Sequence, residues 1–171
     1  MIVIVNGTCA SGKTSFEKMV QNIAKRKEKI VKIISTIDFV KNLAMAAGWD
    51  GTKSKKNRKF LSDLKDLLTE WQDVPYQEIK RQIKILEEEK TDLIFIDCRE
   101  PEEIKRFVED YNAMTLLVQR GELPIMGNHA DDNVLNYQYD ITIDNSRGLD
   151  ELRQEAEIFA ETFLEENDGS N

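Results

Sequence analysis

The chain opens with Ile2-Val-Ile-Val5 and passes within two residues into Gly7-Thr-Cys-Ala-Ser-Gly12-Lys13-Thr14. Phe16, Met19, Val20 and Ile23 then recur at helical spacing. No other stretch limits the fold as severely. A β-branched run favours a buried strand, and the later spacing favours an amphipathic helix. The glycines between them permit a tight turn. In such a turn successive backbone N–H groups converge, and the helix aims its positive end at the same point. The arrangement is a site for an anion.

The spacing Gly-x4-Gly-Lys-Thr is the phosphate-loop pattern, and it has mechanical force only between a strand and a helix, as here. Gly7, Thr8, Cys9, Ala10, Ser11, Gly12, Lys13, Thr14 and Ser15 are therefore the candidate phosphate ligands. Lys13 is expected to reach the β- and γ-phosphates. The Thr14 hydroxyl is expected to ligate Mg2+.

The rest of the chain alternates strand with helix. Apolar runs at 29–35, 93–97, 113–119 and 139–143 read as strands. Helices are expected at 37–47, with Ser35 or Thr36 as cap, and from Phe60 to about Trp71. Further helices are expected at 76–90, with Ile79, Ile83 and Leu86 inward, at 101–111 behind Pro101, and from Leu149 to Phe163. Residues 120–133 read as a loop, and 165–171 as an acidic tail. Alternation of this kind implies an α/β fold, a parallel sheet with helices on both faces. Ligands in such folds sit at the C-terminal strand ends, which puts Gly7, Ser35, Asp97, Arg120 and Asn145 on one rim.

Composition narrows the class. The 171 residues carry 24 basic and 32 acidic side chains, a formal charge of −8, and 40% are hydrophobic. One domain with a real core is expected. The acidic balance argues against general nucleic-acid binding. The apolar runs are too short to span a membrane, and no signal peptide is read at the N-terminus. Cys9 and Cys98 form no disulfide framework. A cytoplasmic protein with a small-molecule partner is expected, and a homodimer is compatible with the sequence.

Asp97 closes the apolar run Leu93-Ile-Phe-Ile96 and is the candidate second Mg2+ residue. Arg99 can hold a phosphate through two hydrogen bonds. Arg120, directly after the fourth strand, can stabilise charge on a moving phosphoryl group. Residues 53–59 hold five basic side chains, of which Arg58 suits an acceptor phosphate. Trp49 is a candidate for base stacking, and His129 for a lid contact.

Taken in order, the phosphate loop, Ser35-Thr-Ile-Asp38-Phe-Val-Lys41, a helical insert, Asp97-x-Arg99 before Pro-Glu-Glu, Arg120, and Tyr139-Asp-Ile-Thr-Ile-Asp-Asn145 resemble phosphate-loop nucleoside monophosphate kinases, closest to the phage-type deoxynucleoside monophosphate kinases. The resemblance implies a three-layer fold with five parallel strands in the order 2-3-1-4-5. It implies a nucleoside-monophosphate-binding insert at about 37–90 and a lid at about 120–138. ATP with Mg2+ would be the donor, with Asn145 near its adenine, and Asp38, Arg58 and Arg99 would bind the acceptor. Two alternatives stay open: a kinase of another small phosphorylated metabolite, and a nucleotide-binding sensor without kinase activity. A GTPase is not expected, because no Asn-Lys-x-Asp element is present.

Overall fold

The structure is a computed structural model that describes residues 1–52, 54–121 and 134–164. Five strands form one sheet: β1 (Ile2–Asn6), β2 (Val31–Ser35), β3 (Leu93–Asp97), β4 (Met114–Gln119) and β5 (Ile141–Asp144). Their order is β2-β3-β1-β4-β5. The β1–β3, β1–β4 and β4–β5 pairs are parallel. Among the described residues six helices accompany them: α1 (Lys13–Arg26), α2 (Asp38–Ala46), α3 (Lys55–Gln72), α4 (Val74–Glu88), α5 (Pro101–Tyr111) and α6 (Leu149–Leu164). A 3-10 turn spans Val134–Asn136. The expected order and class of the sheet are therefore found.

The chain divides into two compact units, residues 1–33 with 90–171, and residues 34–89. In the first, all five residues of β1 are buried. A strand covered on both faces needs no polar alternation, which is why Ile-Val-Ile-Val reads as a continuous run. Val3 and Val5 join Phe95, Leu116 and Val118 in one core with Phe16 and Val20 of α1 and Leu152, Ala156 and Phe159 of α6. Phe16, Phe95 and Phe159 meet as a three-ring cluster with centroids 5.5–6.4 Å apart. Burying each such side chain is worth about 2–3 kcal/mol. Ile104 and Phe107 of α5 are fully buried as well, and α5 packs on β1 and β4.

In the second unit, α2, α3 and α4 pack against one another. Ile79 and Ile83 are buried, as expected, and Leu86 is half-buried. Helix α3 buries no residue, and Leu67 and Trp71 are 63% and 67% exposed. It starts earlier than expected, at Lys55, because Ser54 caps it by accepting from the Asn57 amide at 3.2 Å. The expected cap of α2 on Ser35 or Thr36 is not found. Ile37 is the cap residue and no side chain caps the helix. The helix begins at Asp38, whose charge complements the helix dipole from the first turn instead.

Candidate functional site

The phosphate loop leaves β1 at Asn6. This buried side chain ties three segments together. Its Oδ1 accepts from the Gly7 amide at 2.8 Å, and its Nδ2 donates to Tyr139 Oη at 2.7 Å and to the Arg99 carbonyl at 3.3 Å. Tyr139 Oη in turn donates to the Val134 carbonyl at 2.8 Å. The end of β1, the residues after β3 and the approach to β5 are thus fixed to one amide.

Close approach explains both glycines. A Cβ on Gly7 would lie 2.4 Å from the Val118 carbonyl oxygen and 2.6 Å from Ser11 Oγ. A Cβ on Gly12 would lie 2.3 Å from Asn145 Nδ2, and Gly12 has φ +100°, which L side chains rarely adopt. Ala10 also takes a left-handed conformation, at φ 63°. The loop is closed by the Ser11 amide donating to the Thr8 carbonyl at 3.2 Å.

Asn145, expected near a donor adenine, is buried under this loop. Its Nδ2 donates to the Ser11 carbonyl at 2.9 Å, and its backbone amide donates to the Gln119 carbonyl at 2.7 Å. The Asn145 Oδ1 atom has no partner, nor does Ser11 Oγ. The structure therefore places Asn145 as a prop of the loop with one acceptor to spare.

Lys13 is the first residue of α1, and its ammonium donates to Asp97 at the end of β3. The expected metal residue and the expected phosphate lysine are thus in direct contact. Arg99 is half-buried and Arg120 is exposed at the end of β4. The Gly121 amide donates to Ser146 Oγ at 2.8 Å, which ties the chain just beyond β4 to the turn after β5.

One residue of this cluster was not anticipated. Glu17, one helical turn beyond Lys13, is fully buried, and neither carboxyl oxygen accepts from a donor, while Asp97 lies within side-chain hydrogen-bonding reach. Burial pushes its carboxyl up to about 8, the Asp97 charge adds to the rise, and Lys13 opposes it. The available signal was positional: a carboxylate between Phe16 and Val20, on the face that the helical spacing buries.

In the second unit, Asp38 is exposed and pairs with Lys41 at 3.0 Å. Arg58 is exposed in the second turn of α3. The turn before it is held by Asp50, which accepts from the Thr52 amide, the Thr52 hydroxyl and Asn57 Nδ2 at 2.8–3.1 Å. These bonds hold the Asp50 carboxyl below the usual range. The Trp49 indole N–H donates to the Thr52 carbonyl at 3.2 Å, so its polar edge is engaged in the same turn. Neither Cys9 nor Cys98 is in a disulfide; Cys9 is exposed, and the buried Cys98 thiol donates to Glu103 Oε2 at 3.4 Å. Lys53, His129 and residues 122–133 of the expected lid lie outside the described residues.

The residues present fit a nucleotide phosphate with Mg2+. Helix α1 starts behind Gly12 with no side-chain cap and no acidic residue in its first turn, which leaves its positive end open to an outside anion. Ser11 Oγ is an orphaned polar atom within the loop. Thr14 and Asp97 supply the oxygen donors that a hard cation takes. Among the described residues no group of three or more His, Cys, Asp or Glu forms a metal cage of its own. A cation here would therefore complete its shell with ligand and water oxygens, as Mg2+ commonly does.

No protein-family model and no curated protein matches the chain. Solved structures do resemble it. The APS kinase of Mycobacterium tuberculosis in complex with AMPPNP and APS aligns over 96% of this chain and 97% of its own, at 12% identity and a TM-score of 0.47. A mutant form of that kinase aligns over 94% and 96%, at 16% identity and a TM-score of 0.43. Shikimate kinase from Aquifex aeolicus aligns over 95% and 96%, at 12% identity and a TM-score of 0.45. These are likenesses of fold.

Proposed function

We propose that the protein is a small phosphate-loop kinase that transfers the γ-phosphate of ATP to a nucleoside or deoxynucleoside monophosphate. The observation that carries the reading is the contact of Lys13 with Asp97 beside the uncapped start of α1. A lysine, a carboxylate and an open helix N-terminus together can hold a polyphosphate with its cation.

In this reading the backbone of Gly7 through Ser15 cradles the donor phosphates, and Asn145 holds that cradle in shape. Thr14 and Asp97 would hold Mg2+, which would neutralise phosphate charge. Lys13, Arg99 and Arg120 supply positive charge around the transferred group. Asp38 and Arg58 belong to the helical region at about 37–90 and bind the acceptor. An acceptor phosphate is already an anionic nucleophile, so no strong general base is required. Catalysis is then a matter of position and charge. Among the described residues no helix is long and apolar enough to cross a membrane.

The test is ADP release from Mg-ATP with each ribo- and deoxyribonucleoside monophosphate offered in turn. Release that depends on one or two acceptors, and that Lys13→Ala abolishes, is the expected result. Tight Mg-ATP binding with no acceptor-dependent release would overturn the monophosphate reading in favour of another phosphorylated metabolite or a sensor.

A further inference from the structure

Glu17 presents a physical problem that the proposed function leaves unsolved. A fully buried carboxyl whose oxygens accept from no donor, set beside the carboxyl of Asp97, is among the costlier groups a core can hold. Leucine or methionine at that place would bury the same stem without the polar cost. The position therefore carries a disadvantage for stability alone.

Its surroundings show where those oxygens can be used. Residues four apart on a helix are neighbours on one face, with Cβ atoms about 5–6 Å apart. Helical side chains lean toward the N-terminus and lie over the preceding turn. Glu17 thus leans over the turn that carries Lys13. Asp97 stands beside it within side-chain hydrogen-bonding reach, and both Lys13 and Asp97 act on its charge. In the structure the Lys13 ammonium donates to Asp97. The same Asp97 is the candidate metal residue. When a metal-bearing nucleotide engages Asp97, the ammonium must leave that carboxylate. An ammonium has three N–H donors, and the phosphates do not use all of them from one side.

We propose that Glu17 is a positioning residue that receives a Lys13 N–H when the ammonium swings from Asp97 to the donor phosphates, and so fixes the lysine in its nucleotide-bound place. This rests on the phosphate-loop reading of the site, though not on the identity of the acceptor. It accounts for a buried acceptor pair with spare lone pairs one turn from the lysine. It also accounts for the open start of α1, since a carboxylate in the first turn would compete for the anion's place, whereas Glu17 sits one turn further in.

The experiment is a double-mutant cycle read by calorimetric Mg-ATP affinity and by the thermal midpoint of the free protein. Glu17→Leu should weaken Mg-ATP binding about tenfold, the scale of one lost hydrogen bond to a charged group. The midpoint of the free protein should hold or rise, which a purely structural role would not allow. In a Lys13→Ala background the same change should alter binding less than twofold, because the partner is gone. Glu17→Gln, which keeps one acceptor oxygen and the shape, should fall between wild type and Glu17→Leu. It decides the matter if the leucine variant does not fold. Wild-type affinity in both Glu17 variants would overturn the proposal, as would an equal loss with and without Lys13. Failure of the wild-type protein to bind Mg-ATP would instead overturn the phosphate-loop reading itself, and the proposal with it.

Discussion

Asn145 Nδ2 donates to the Ser11 carbonyl at 2.9 Å, across 134 residues of sequence. The bond joins the end of β5 to the phosphate loop, and Asn145 is only 4% exposed. The residue that closes the sheet is therefore the one that shapes the loop.

Asn145→Ala should cost about 1–3 kcal/mol of stability, because a buried carbonyl loses its donor and a cavity opens under Gly12. Nucleotide affinity should fall with it, by about tenfold. Chemical denaturation and calorimetry on the same preparation check both. Loss of stability with unchanged affinity would separate the prop from the binding function.

Gly12→Ala meets two obstacles at once, a left-handed backbone and the Asn145 amide 2.3 Å away. Gly148 is the natural control: its φ is +109°, with nothing within 4 Å of an added Cβ. Gly148→Ala should cost only the backbone strain, about 1–2 kcal/mol. Gly12→Ala should cost more and should abolish Mg-ATP binding. Equal losses in the two variants would show that Asn145 gives way.

Tyr139→Phe removes the hydroxyl that bridges Asn6 and the Val134 carbonyl. A loss of about 1 kcal/mol is expected. Urea midpoints at constant slope would register it. An unchanged midpoint would mean that water replaces the hydroxyl at no cost.

The pH dependence of stability should carry the mark of Glu17. Its carboxyl titrates near 4.5 in the unfolded chain and near 8 in the folded one. Between those values the native state binds more protons than the unfolded state, so stability falls as pH rises. The loss begins above pH 4.5 and is complete above pH 8, and it amounts to a few kcal/mol. Asp97 and Lys13 face the same group. Glu17→Gln should flatten the slope between pH 5 and 8. An equal slope in both proteins would assign it to other groups.

The strands were legible because each is an unbroken apolar run, and the loop because its glycines stand at fixed spacing between a strand and a helix. The contact of Lys13 with Asp97 was legible only as two separate expectations, since they lie 84 residues apart. The bond from Asn145 to the phosphate loop was not legible, because sequence shows that a residue ends a strand but not which way its amide turns. Glu17 was missed for a related reason. One acid inside an apolar helical face looks like noise in the pattern until burial is seen. The exposed side of α3 shows the converse. An amphipathic pattern identifies a face, but it does not supply something to cover it.

The contact between Lys13 and Asp97 has a consequence for selectivity. A loop lysine that stood free would attract chloride, sulfate and bare phosphate alike. Here it already has a counter-ion, so an arriving anion must displace a carboxylate. An anion that brings its own cation leaves that carboxylate satisfied, while a naked one strands it. The Lys13–Asp97 pair should therefore act as an internal salt that exchanges most readily with ligands that arrive as salts themselves.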